Sequence, residues 1–213
     1  MKHTVITGHY GSGKTNIAVN LALNAAKKSK KPIYLIDADI VNPYFRAADS
    51  ENLLRDNGIT LIAPLFANTN LDVPALPPEI FRVFEQDCLA FWDVGGDDAG
   101  AIALGRYADN IQKDGYEMLY VVNYSRPLTS CEEDMTEIMT QIETASHLKA
   151  SAIIDNSNLG SETTEETVTS VTEKVENLSR VSGLPIKYRC VMGELAKKFP
   201  DAFPLMQTTK KLW

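Results

Sequence analysis

Gly8-His9-Tyr10-Gly11-Ser12-Gly13-Lys14-Thr15 follows directly on the apolar run Thr4-Val5-Ile6-Thr7 and matches the pattern G-x-x-x-x-G-K-[ST] in full. The β-branched pair Val5 and Ile6 suits a buried strand, and residues 16–28, with Ile17, Val19, Leu21, Ala22 and Leu23, suit a helix. Strand, loop, helix is the context a phosphate-binding loop needs. Gly8, Gly11 and Gly13 remove Cβ atoms from the turn, so successive N–H groups can face phosphate oxygens at a helix N-terminus. Lys14 offers a cation to the β- and γ-phosphates, and the Thr15 hydroxyl is a ligand for Mg²⁺. The candidate nucleotide-binding residues here are Gly8, Tyr10, Gly11, Ser12, Gly13, Lys14, Thr15 and Asn16.

Composition narrows the classes around this loop. The 213 residues carry no Pro/Gly/Ser-rich linker, which predicts one domain over 1–213. A net charge of -7 repels nucleic acid, so direct DNA binding is not expected. The basic run Lys27-Lys28-Ser29-Lys30-Lys31 falls where the first helix should end, and cations there complement the helix dipole. No apolar stretch approaches the ~20 residues of a membrane span, and the first strand begins too early for a signal peptide, which predicts a cytoplasmic protein without membrane contact. Cys88, Cys131 and Cys190 show no C-x-x-C spacing, and His3, His9 and His147 are too dispersed for a metal site.

The rest of the chain repeats one theme, an apolar strand that ends in polar residues. Pro32-Ile33-Tyr34-Leu35-Ile36 leads to Asp37-Ala38-Asp39, and Leu89-Ala90-Phe91-Trp92 leads to Asp93-Val94-Gly95-Gly96-Asp97. In a parallel sheet such ends face the ligand, which places Asp37, Asp39 and Asp93 beside the phosphate loop. Asp93 has the position of a Walker B carboxylate on Mg²⁺, and Gly95-Gly96 that of a hinge whose N–H groups approach the γ-phosphate. Further strands are expected at 59–63, 117–123, 151–155 and 185–192, and helices at 46–57, 79–86, 99–112, 130–146 and 163–182. Thr129 is suited to cap the helix at 130–146, with Glu132 completing a capping box. Residues 64–78, with Pro64, Pro74, Pro77 and Pro78, form an extended excursion. Residues 193–213 show no strong period. The predicted fold is α/β: a doubly wound, mostly parallel sheet of about seven strands with helices on both faces.

The 8–15 loop, Asp37-Ala38-Asp39 and Asp93-Val94-Gly95-Gly96-Asp97 together resemble the phosphate loop, switch I and switch II of the MinD/ParA/nitrogenase-iron-protein ATPases, in the CobQ/CobB/MinD/ParA nucleotide-binding superfamily. The resemblance covers most of the chain. It implies that ATP is the nucleotide, that Asp39 orients or deprotonates the attacking water with Asp37 in support, and that Thr15, Asp39 and Asp93 organise Mg²⁺. It places Asn156, in Asp155-Asn156-Ser157-Asn158, at the adenine-recognising strand end, and it implies a nucleotide-dependent homodimer and an unidentified protein partner or cargo. Two departures stand out. The signature lysine that reaches a partner's nucleotide is His9 here, followed by Tyr10, so Arg46 or Arg126 would have to replace it. The cysteine that holds the iron protein's cluster falls at Gly100, so no iron–sulfur cluster is expected.

These readings lead to a Mg²⁺-dependent ATPase with Lys14, Asp39 and Asp37 as catalytic residues, slow without a partner. The alternative on the same fold is an ATP-dependent small-molecule kinase or ligase, like dethiobiotin synthetase or the cobyrinic acid amide synthases, with an acceptor pocket under residues 64–78.

Overall fold

A computed structural model describes residues 1–39, 50–64, 76–96, 98–126 and 132–208. The expectations resting on Arg46, on residues 65–75, on Asp97, on Thr129 and on Cys131 lie outside the described residues.

The first strand, β1 (His3–Gly8), runs into the loop and then into α1 (Lys14–Lys28). β2 (Ile33–Ala38), α2 (Glu51–Asp56) and β3 (Ile59–Ile62) follow. A 3-10 turn at Pro78–Phe81 leads to α3 (Arg82–Glu85) and β4 (Leu89–Val94). α4 (Asp98–Gly105), α5 (Ala108–Asp114), β5 (Tyr116–Val122), α6 (Glu132–Ser146) and β6 (Ala152–Asp155) continue the alternation. The described chain closes with α7 (Glu165–Ser170), α8 (Thr172–Ser182), β7 (Ile186–Met192) and β8 (Phe203–Leu205).

The strands form one eight-stranded sheet in the order β3-β2-β4-β1-β5-β6-β7-β8, with every pairing parallel. Its alternation of side chains builds two cores. Val5, Tyr34, Ile36, Trp92, Met118 and Tyr120 point to one face, where Leu104, Ile111, Met139 and Leu178 of the later helices cover them. Ile6, Leu35, Phe91, Leu119 and Ile154 point to the other, under Ile17, Leu21 and Leu54 of α1 and α2. Strands buried on both faces read as continuous apolar runs, which is why they were legible in the sequence. β1 lies between β4 and β5, where successive connections leave in opposite directions, and the crevice at such a reversal is where α/β sheets bind ligands.

The expected α/β sheet of about seven strands is there, with eight: β8 is three residues long, contains Pro204, and sits at the edge, where a strand can lack an N–H. Three helix expectations are corrected. The helix expected over 99–112 is two, because the chain breaks after Gly105. A Cβ on that glycine would lie 2.8 Å from the Ala145 carbonyl oxygen, and Tyr107 turns in to stack on Phe84 at 6.1 Å. The helix expected over 163–182 is also two. They meet at Val171, after the β-branched and hydroxyl-rich Thr167-Val168-Thr169-Ser170, a weak helix former. The helix expected over 79–86 is a 3-10 turn followed by a single α-turn, as Pro77 and Pro78 restrict its start.

Candidate nucleotide site

The loop between β1 and α1 has the backbone its glycines permit. Gly11 and Gly13 have φ of 77° and 89°, and Gly13 is the left-handed residue from which α1 starts. Gly8, at φ 143°, is pressed against β5, and a Cβ there would lie 2.2 Å from the Val121 carbonyl oxygen. Ser12 N–H donates to the His9 carbonyl at 3.1 Å, closing the turn, and Lys14 Nζ donates to the same carbonyl at 3.1 Å. Lys14 is buried. Its ammonium is therefore held over the loop, where phosphate oxygens would meet it.

Parallel register brings the acidic strand ends to this loop. Asp37 on β2 pairs directly with Asp93 on β4, and Asp93 is in register with Ile6 on β1. Both carboxylates are buried, and the Asp37 Oδ1 accepts from the Asp39 N–H at 3.2 Å. Neither oxygen of Asp93 has a hydrogen-bond partner among the described residues. Burial pushes the Asp93 carboxyl up to about 8; the Asp37 charge adds to this, the Thr15 hydroxyl and the Lys14 ammonium oppose it, and Asp39 contributes a further small rise. An unsatisfied buried carboxylate with two acidic neighbours and a threonine hydroxyl is a donor set of hard oxygens, which fits Mg²⁺. Gly96 completes the cradle, since a Cβ there would lie 2.6 Å from Tyr10 N and 2.8 Å from Lys14 Nζ. Gly100 serves the same packing from α4, because a Cβ on it would lie 2.7 Å from the Gly95 Cα.

Asn156 follows β6 and is turned toward the loop. Its Nδ2 donates to the Ser12 carbonyl at 2.7 Å, its Oδ1 accepts from Asn158 Nδ2 at 3.0 Å, and a Cβ on Gly13 would lie 2.3 Å from its amide nitrogen. The side chain thus braces the phosphate loop. Asn123, after β5, accepts from the Asn158 and Ser125 N–H groups and so joins the turns after β5 and β6. The Asn16 side chain also has a partner: its Oδ1 accepts from the Thr208 N–H at 2.9 Å and from the Thr208 hydroxyl at 2.7 Å.

The expected residues therefore gather at one end of the sheet: the 8–15 loop, Asp37, Asp39, Asp93, Gly96 and Asn156. What the sequence reading missed lies beside them. A pocket of about 430 Å³ opens between the turn after β6 and the segment after β8, lined by Gly160, Thr163, Gly193, Leu195, Met206 and Gln207 among others. Among the described residues, none that lines it is charged. The sequence held one hint of it, the asparagine-rich turn leading to Gly160.

No protein-family model matches the chain, and no curated protein matches it. Solved structures do. FtsY from Mycoplasma mycoides superposes with a TM-score of 0.61 at 19% identity, over 91% of this chain and 60% of that one. A nucleotide-binding protein in complex with ADP from Archaeoglobus fulgidus gives a TM-score of 0.55 at 16% identity, over 92% and 84% of the two chains. The signal recognition particle 54 kDa protein from Aeropyrum pernix, in complex with GDP, gives 0.55 at 17% identity, over 88% of this chain and 41% of that one. The chain thus spans about three fifths of the FtsY structure it matches, and at these identities the likeness concerns the fold. That fold is the α/β fold of the P-loop NTPases.

Proposed function

We propose that the protein binds and hydrolyses a Mg²⁺-bound nucleoside triphosphate, and that the nucleotide is ATP. The observation that carries this reading is the convergence of Lys14, Thr15, Asp37, Asp39 and the unsatisfied Asp93 on one glycine-built loop. Structural ion-pair networks satisfy their buried charges; here a buried carboxyl flanked by two acids has only partial relief from Thr15 and Lys14, a setting that favours a bound cation.

In this reading the backbone N–H groups of residues 11–15 hold the β- and γ-phosphates, and Lys14 neutralises charge that builds on them during transfer. Thr15 and Asp93, with Asp39, would hold Mg²⁺, which supplies charge neutralisation at the phosphates. Asp39, fixed through its own N–H to Asp37, orients the attacking water and receives its proton. Gly96 approaches the loop closely enough for its N–H to report on the γ-phosphate, so loss of that phosphate frees Gly96 to move.

Support for adenine comes from the pocket. Guanine presents two adjacent donors, N1–H and the 2-amino group, and calls for a carboxylate; adenine presents one donor and one acceptor, which amides and peptide groups match. Among the described residues the lining offers Gln207, hydroxyls and backbone, and no carboxylate. Lys14→Ala tests the assignment: ATP affinity should fall by about a hundredfold and hydrolysis to background. Unchanged binding and turnover would remove it. GTP binding as tight as ATP would remove only the adenine preference.

A further inference from the structure

Residues 206–208, which follow β8, are tied to α1 and to the start of α2 by five hydrogen bonds from three side chains. Asn20, buried on α1, pairs with the peptide of Met206 in both directions. Its Nδ2 donates to the Met206 carbonyl at 2.9 Å, and its Oδ1 accepts from the Met206 N–H at 2.9 Å. Asn16, one turn earlier, accepts from both the N–H and the hydroxyl of Thr208. The Ser50 hydroxyl, where α2 begins, donates to the Thr208 carbonyl at 2.8 Å. A side-chain amide that pairs with a peptide in this way replaces a missing strand neighbour, so an otherwise irregular segment is given one backbone path.

That path matters because Met206 and Gln207 line the uncharged pocket together with Gly160 and Thr163. Gly160 is tied to the same unit, its N–H donating to Asn158 Oδ1, Asn158 Nδ2 to Asn156 Oδ1, and Asn156 Nδ2 to the Ser12 carbonyl. Both walls are therefore referenced to the loop-and-helix that would hold the phosphates. The spacing between a phosphate site and a base site is thereby fixed by side-chain hydrogen bonds to the backbone of both walls.

We propose that residues 206–208 form the base-facing wall of the nucleotide site, and that Asn20 and Ser50 are positioning residues that set its selectivity for nucleotide over bare polyphosphate. The proposal rests on the nucleotide reading above. Gln207 touches the base; Asn20 and Ser50 touch only the strap, and their effect appears as loss of base-dependent affinity.

The test compares ATP with inorganic triphosphate, which has phosphates but no base, by calorimetry or by competition against a fluorescent nucleotide. Asn20→Ala and Ser50→Ala should each weaken ATP by about tenfold, the scale of a lost buried hydrogen bond, and leave triphosphate affinity unchanged. Ser50→Thr keeps the hydroxyl and should restore ATP affinity, which a purely packing role would not require. Should Asn20→Ala fail to fold, the Ser50 pair decides alone. Equal weakening of both ligands, or no weakening of ATP, would overturn the proposal and leave the strap a structural closure. Failure of ATP to bind the unmodified protein is a different result, and it would remove the nucleotide reading itself.

Discussion

Asp93 sits where burial and neighbouring acids both resist its charge, and the Thr15 hydroxyl and the Lys14 ammonium offset that only in part. A group in that condition lowers the stability of the ligand-free fold and becomes favourable only when a cation arrives. Asp93→Asn should therefore stabilise the protein in the absence of nucleotide and Mg²⁺ by about 1–3 kcal/mol, read as a higher urea midpoint at unchanged m-value. The same substitution should abolish any tightening of nucleotide binding by Mg²⁺. A variant less stable than the parent would show that Asp93 is satisfied in some way the buried carboxylate does not reveal. Gly8 illustrates the opposite case, a residue fixed by packing: Gly8→Ala would drive a methyl group into the β5 backbone at Val121, and a cost of about 3 kcal/mol or more is expected.

At the scale of elements, the end of the sheet away from the site is closed by an aromatic cluster that docks α3 and α5 under β1 and β4. Trp92 Nε1–H donates to His3 Nδ1 at 3.2 Å, which leaves the proton on Nε2, facing Asp114 Oδ2 at 3.4 Å, while Phe84 packs on the ring at 5.3 Å. Burial lowers the His3 pKa from 6.5; Asp114 pulls it back up in part, and Lys2 beside it lowers it further. The folded protein thus refuses a proton that the unfolded chain accepts. Stability should be complete above pH 6.5 and fall as pH drops below 6.5 towards the lower folded value. Asp114, whose carboxyl is held below 3.8 chiefly by its hydrogen bond from Lys2, adds a separate loss below pH 3.8. Urea midpoints at pH 7 and pH 5.5 for the parent and for His3→Gln check the first step: the difference between the two pH values should shrink in the variant. Equal differences would mean that His3 is not the group responsible.

For the whole molecule, the site end of the sheet leaves Tyr10 and Leu159 exposed at 54% and 48%, apolar groups on the rim of a loop that would hold a charged ligand. These side chains are where a second copy would pack if, as we propose, two chains close over nucleoside triphosphate. Light scattering should give one 23.5 kDa chain with ADP and twice that mass with a non-hydrolysable ATP analogue. With a formal charge of -7 on each chain, association should strengthen as salt is raised and repulsion is screened. An unchanged mass in both states would remove the dimer and leave the nucleotide site intact. Among the described residues no helix is long and apolar enough to cross a membrane.

The sequence by itself determined the strand–loop–helix at residues 3–28 and the central parallel strands, because their signals are local. Glycines allow a turn that other residues would strain, and strands buried on both faces must be apolar throughout. It also placed acidic residues at the ends of β2 and β4. Only the tertiary structure decided that Asp37 and Asp93 are register partners, that Asn156 braces Ser12, and that Met206 and Gln207, more than 190 positions away from the loop, line a pocket. β8 and the breaks at Gly105 and Val171 belong with these. The physical reason is common to all of them: each depends on which partner lies across the sheet or over a helix, and an amide or a short strand carries no periodicity that names its partner in advance.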